Sequence, residues 1–150
     1  MRVEKDYEDL LESLNKYKVR YCIVGAFAVA YHAVPRYTKD MDILVDPSAQ
    51  NAEKLVLALG DFGFGSMGLS KSDFTRKGQI IQLGVEPIRV DLLTSLKGLS
   101  FDEIWQAKKR GAYGRQRVYF IGLQHLIKAK KVANRRQDLV DLEVLKTKKG

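Results

Sequence analysis

The segment KDMDILV, residues 39–45, constrains this chain more than any other stretch. In a strand, side chains two apart point the same way, so Asp40 and Asp42 share one face while Met41 and Ile43 share the other. Two carboxylates that close repel each other unless a shared proton or a bound cation offsets them. Such a strand must be anchored through its apolar face, inside a sheet with further apolar strands.

The chain supplies those strands. VRYCIV (19–24), QIIQLG (79–84), PIRVDLL (87–93) and Val118 to Ile121 are short apolar runs bounded by turn residues, and a tight turn is expected near Gly84. Between them lie helical patterns. Tyr7, Leu10, Leu11, Leu14 and Tyr17 recur at helical spacing over residues 4–17, and AFAVAYHAV (26–34) predicts a short helix stopped by Pro35. Asp46-Pro47 predicts a helix start with Asp46 as N-cap, an inner stripe of Ala52, Leu55, Val56 and Leu59, and an end at Gly60. The glycine-rich stretch that follows fits no phosphate-loop fingerprint and reads as a connector. Another helix begins at Phe101, and Gly111–Gly114 reads as a turn. Two helices, near 123–134 and 137–147, end the chain, the last with Leu139, Leu142 and Leu145 as its apolar seam. The expected fold class is mixed α/β, a small mixed sheet flanked by helices, in a single domain over residues 1–150.

Composition narrows the setting. The chain has 150 residues, enough to bury a core without disulfides. Cys22 is the only cysteine and lies in an apolar run, so it reads as a buried thiol. No apolar run approaches the roughly 20 residues that span a bilayer. The charged start MRVEKDYEDLLESL lacks the apolar core of a signal peptide, so the expectation is a cytoplasmic protein without a membrane partner. The net charge of +8 is uneven: residues 1–105 hold 13 Lys/Arg against 15 Asp/Glu, residues 106–150 hold 13 against 3. That basic end suits polyanions such as RNA or nucleotide phosphates, or is a solvated lysine-rich surface. Trp105 reads as a core or interface anchor.

Two residues give Asp40 and Asp42 a chemical context. Gly25 separates a buried strand from a short helix, where a glycine permits close approach and the helix N-terminus offers free N–H groups to a phosphate. Asp91 stands in an apolar strand with Arg89 on its face. Three carboxylates on adjacent strands beside a phosphate-binding turn suit Mg²⁺, which takes hard oxygen ligands together with substrate phosphates.

VGAFAVAYHAVPRYTKDMDILVD (24–46) resembles the signature of the polymerase β-type nucleotidyltransferase superfamily: a hydrophobic residue, Gly, then Gly or Ser, and after a spacer Asp-x-Asp in a strand, with a third carboxylate from a later strand. Gly25, Asp40, Asp42 and Asp91 occupy those positions, and Ala26 replaces the second small residue. The Arg36-x-Thr38-x-Asp40-x-Asp42 form is similar to a small branch that includes AbiEii-type toxins, and LIKAKKVANRRQDLVDLEVL (126–145), with Lys130, Arg135, Asp138 and Asp141, resembles that branch's closing helix pair. The resemblance implies a nucleotidyltransferase core over 1–121 and a basic helical segment over 122–150. It implies transfer of an NMP group from a nucleoside triphosphate to an acceptor hydroxyl, possession of two Mg²⁺ ions for which Mn²⁺ can substitute, and a place in a toxin–antitoxin pair. Asp40, Asp42 and Asp91 would be the catalytic metal ligands, and Gly25 and Ala26 would present N–H groups to the triphosphate. Two roles fit Arg36: a phosphate contact or an acidic partner. Thr38 suits a local hydrogen bond or the nucleotide. Lys39 points away from Asp40, toward solvent. Lys130 and Arg135 suit nucleotide or RNA binding in the cleft, or Arg135 pairs with Asp138 or Asp141. RNA, a protein, a small molecule, a second subunit or a homo-oligomer remain open as partners. The competing readings are a catalytically degenerate relative that binds RNA or a protein, and a phosphohydrolase on the same carboxylates.

Overall fold

The structure, a computed structural model, describes residues 3–34, 38–85 and 88–149. Its centre is a six-stranded mixed sheet of order β3-β4-β2-β1-β6-β5. The strands are β1 (Tyr21–Val24), β2 (Asp40–Val45), β3 (Ile80–Val85), β4 (Ile88–Leu93), β5 (Lys109–Tyr113) and β6 (Gln116–Phe120). β1 pairs antiparallel with β2 and parallel with β6, β2 runs parallel to β4, and β3–β4 and β5–β6 are antiparallel pairs. The two central strands are the most apolar: every residue of β1 is buried, and so are Met41, Ile43, Leu44 and Val45 of β2.

Helices flank the sheet. α1 (Lys5–Lys16) buries Tyr7, Leu10, Leu11 and Leu14, the stripe its periodicity predicts. Burying each such leucine stabilises the fold by about 1.5–3 kcal/mol. Asp6 and Glu8 in its first turn and Lys16 in its last complement the helix dipole. The Tyr7 hydroxyl donates to the carbonyls of Lys39 and Arg89, tying α1 to the leading ends of β2 and β4. Ser13 Oγ donates to Ala58 O (2.9 Å), joining α1 to α3 (Ala49–Leu59). The remaining helices are α2 (Gly25–His32), α4 (Lys71–Thr75), α5 (Phe101–Gln106), α6 (Leu123–Ala133) and α7 (Arg136–Lys149).

Several expectations are corrected. The N-cap of α3 is Ser48, whose Oγ accepts the Asn51 N–H at 3.2 Å. Asp46 lies outside the helix, accepts the Ser48 N–H and pairs with Arg20 at 3.0 Å. The expected connector after Gly60 is helical, a wide π turn over Gly60–Phe64 and a 3₁₀ turn over Gly65–Met67. α4 follows, with Ser70 as its N-cap in a capping box: the Asp73 carboxylate accepts the Ser70 N–H. Gly84 does not turn but sits inside β3, paired with Arg89, and the ladder runs on to Val85 opposite Ile88; residues 86 and 87 lie outside the described set. The expected turn at 111–114 is mostly strand β5, and the reversal falls at Gly114-Arg115.

α7 differs from its expected seam for a physical reason. Leu142 and Leu145 are buried, but Leu139 is 52% exposed. The inner stripe is Asp138, Asp141, Leu142 and Leu145, at spacings of three, four and seven. Two of its four members are acids, and they face inward because Lys130 on α6 is buried opposite them. Cys22 is fully buried, and burial pushes its thiol up to about 12. Trp105 is half-buried, edge-on to Tyr119 at 5.0 Å, with the Lys108 ammonium 3.9 Å from its ring centre. No helix among the described residues is long and apolar enough to cross a membrane.

Candidate active site

The register of the central strands assembles the carboxylates. Asp42 lies directly opposite Asp91 on β4 and opposite Val24 on β1, and Asp40 lies opposite Arg89. Directly paired residues point to the same side of a sheet, so Asp40, Asp42, Arg89 and Asp91 form one polar patch. Met41 and Ile43, both fully buried, hold β2 from the other side.

Gly25 closes against this patch. It adopts a left-handed backbone (φ +66°), and a Cβ there would run into the Asp42 carboxylate. Both facts demand glycine. The same residue begins α2, whose N-terminus has no side-chain cap, so its first N–H groups lack an intrahelical partner. Ala26, the next residue, lines a cavity of about 550 Å³ together with Thr38, Asp40, Asp42, Asp91 and Arg135. That is the size of a small-molecule site.

The electrostatics of the patch are unbalanced. Burial, then the neighbouring charges of Asp91 and Asp40, push Asp42 up to about 6, only partly countered by Lys130 and Arg89. The Arg89 guanidinium bridges the other two carboxylates, 3.1 Å from Asp91 and 3.5 Å from Asp40. Each of those carboxylates keeps one buried oxygen, Oδ1, without a hydrogen-bond partner among the described residues. A buried carboxylate oxygen left so is costly and is suited to a ligand that arrives later. Among the described residues no three His, Cys, Asp or Glu side chains are gathered as a ready-made metal set. The donors are in place; the cation that now draws two of them is Arg89.

A second charged cluster adjoins the first. Lys130, 8% exposed, lies 3.1 Å from Asp138 and 2.9 Å from Asp141, and Arg135 Nε lies 2.8 Å from Asp138. Burial would raise the Asp138 pKa, but the hydrogen bonds from Arg135 and Lys130 outweigh it and hold the carboxyl at about 2. Lys130 is therefore engaged in packing α6 on α7, and the pairing reading of Arg135 is the one seen, with Asp138 as partner. Arg135 still reaches the cavity wall.

The other sequence-derived residues divide as follows. Arg36 lies outside the described residues. Thr38 lines the cavity, and its hydroxyl finds no partner among the described residues; residues 35–37 before it lie outside them. Lys39 is exposed, as expected, and it also borders the cavity. Sequence reasoning placed Arg89 beside Asp91 but gave it no role. The two-residue spacing in a strand was the signal. Gln137 at the cavity edge had no signal, since only the packing of α7 brings it there.

No protein-family model matches the chain, and no curated protein does. Solved structures do. The Thermotoga maritima protein TM1012, named as a candidate nucleotidyltransferase, superposes with a TM-score of 0.63 at 16% identity, over 95% of this chain and 93% of that one. The lincosamide antibiotic adenylyltransferase LnuA, solved with lincomycin bound, gives 0.61 at 18% identity, over 95% and 96%. ANT(2")-Ia, in complex with adenylyl-2"-tobramycin, gives 0.61 at 12% identity, over 96% and 87%. At such identities the likeness carries the fold, a mixed sheet flanked by helices that this chain shares with them along nearly its whole length.

Proposed function

We propose that this chain, which has the fold of those nucleotidyltransferases, transfers an NMP group from a nucleoside triphosphate to an acceptor hydroxyl in the Asp40–Asp42–Asp91 pocket. The observation that carries this reading is the pairing of Asp42 with Asp91 on adjacent strands, with Gly25 forced against Asp42 at an uncapped helix start. A patch of carboxylates alone would repel a triphosphate, so the reading requires a divalent cation. The residues fit one: the donors are all hard oxygens, two buried oxygens lack partners among the described residues, and Asp42 is crowded by like charges. Asp40, Asp42 and Asp91 would hold two Mg²⁺ or Mn²⁺ ions. When bound, those ions neutralise the phosphates and lower the pKa of the acceptor hydroxyl.

The chain's own groups do the rest. The N–H groups at Gly25 and Ala26 hold the outer phosphates at the start of α2. Alanine retains that donor, so the loss of a second small Gly or Ser leaves the contact available. The acceptor oxygen forms a bond to the α-phosphorus as the bond to the β-phosphate oxygen breaks and pyrophosphate leaves. Asp91 receives the acceptor proton. Arg135 and Lys39, at the cavity wall, add positive charge toward the departing pyrophosphate.

Finer assignments belong to the same proposal. The motif around Arg36 and Thr38 supports the AbiEii-type branch and a toxin–antitoxin role in the cytoplasm. The acceptor is a hydroxyl of an RNA, a protein or a small molecule, the last suggested by the antibiotics in the names of two fold neighbours. Incubation with labelled nucleoside triphosphates, Mg²⁺ and a cell lysate should yield a labelled product. Undiminished labelling by Asp40→Asn/Asp42→Asn would sink the assignment, and release of free phosphate instead would make the protein a phosphohydrolase.

A further inference from the structure

Arg89 stands where a metal site would ordinarily hold only donors. Its Cα is opposite Asp40 in the β2–β4 ladder and two residues before Asp91, so one guanidinium reaches both carboxylates. Arginine stays charged at any pH the protein meets, so it cannot leave this position by losing its proton. A carboxylate oxygen paired with a guanidinium is a poorer ligand for a cation, and a divalent ion beside a fixed positive charge is repelled by it. The side chains of Asp40 and Arg89 are both about a third exposed, at 32% and 30%, so the arginine has an open path into the cavity it lines.

We propose that Arg89 is a resident counter-ion that occupies the metal position of the free protein and exchanges with the incoming cations. This rests on the nucleotidyltransferase reading above. Before loading, Arg89 offsets part of the repulsion among Asp40, Asp42 and Asp91 and keeps β2 and β4 in register. On loading, it gives up Asp40 and Asp91 to the metal. The released guanidinium remains tethered beside the site, where the nearest anion is the triphosphate that arrives with the metal, and its planar fork matches a phosphate. Metal binding without nucleotide is thereby held weak, and metal and nucleotide bind cooperatively.

The test is Mn²⁺ binding, read by electron paramagnetic resonance, with and without a non-hydrolysable ATP analogue. Arg89→Gln should bind Mn²⁺ alone about tenfold more tightly than the parent chain, because a competing charge is gone. The same variant should lose most of the gain in Mn²⁺ affinity that the analogue confers. Arg89→Lys, which keeps the charge, should return Mn²⁺ affinity toward that of the parent, and both variants should be checked for an unchanged circular dichroism spectrum. Equal or weaker Mn²⁺ binding by a folded Arg89→Gln, with clear binding by the parent chain, overturns the exchange and leaves the metal reading intact. Failure of the parent chain and both variants to bind Mn²⁺ overturns the metal reading itself, and this inference with it.

Discussion

Two clusters of buried charge lie side by side in this molecule, and they are built in opposite ways. Asp138 and Asp141 meet Lys130 and Arg135 in a closed arrangement that holds the Asp138 carboxyl at about 2. In the other, Asp40 and Asp91 share one arginine, each leaves an oxygen without a partner among the described residues, and burial with their charges pushes Asp42 up to about 6. The first cluster is complete within the chain and serves the packing of α6 on α7. The second is short of positive charge, and its deficit is what a metal–triphosphate would fill. Charge by itself does not mark a site; incomplete compensation does.

The contrast can be broken by single substitutions. If the proposed metal site holds, Asp42→Asn should lower nucleotidyl transfer on the order of a thousandfold, since it would remove one of the carboxylates proposed to hold the cation. Its metal-free thermal stability should stay level or rise, because a repelling charge has gone. Asp138→Ala should do the reverse in folding terms. It leaves buried Lys130 with Asp141 alone and Arg135 without its carboxylate partner, and should cost about 3 kcal/mol in urea unfolding. If Asp42→Asn proves the more destabilising of the two, the two clusters are not different in kind.

Gly25→Ala tests the junction between backbone and carboxylate. The left-handed backbone alone should cost about 1–2 kcal/mol. The added Cβ should also displace the Asp42 carboxylate and cut transfer well beyond what that loss of stability explains. Equal stability and activity in the variant would separate Gly25 from the site.

The smallest effect is in pH dependence, measured in chelator. Asp42 is raised in the fold from its ordinary 3.8 to about 6, so the folded state binds the extra proton and stability should fall as pH rises between those values. Asp138 is lowered from 3.8 to about 2, so its contribution should be present above about pH 4 and disappear as pH falls toward 2. Urea unfolding of the parent chain against Asp42→Asn should differ mainly in the upper window.

Much of this was readable from residue order. The periodicity of residues 4–17 and the alternation in β2 are strong local signals, and Asp40, Asp42, Asp91 and Gly25 follow from two-residue spacing and from the needs of a glycine. What was missed is tertiary in origin. KRGAY in β5 has too few apolar residues to read as a strand, and pairing with β6 makes it one. Leu139 looks like a core residue until the salt bridge of Lys130 turns α7 so that acids face inward. Two further features are local in the sequence itself: Ser70 three residues before Asp73, a helix-start pattern, and Arg89 two residues before Asp91, on the same face of β4.

Cys22 has a practical consequence. It is the only cysteine in the chain, fully buried, with its thiol pushed up to about 12. Towards maleimide dyes the native protein should therefore behave as if it had none. A single Gln137→Cys substitution would then place one chosen fluorophore at the lip of the cavity, and occupancy could be followed in real time without removing the native thiol.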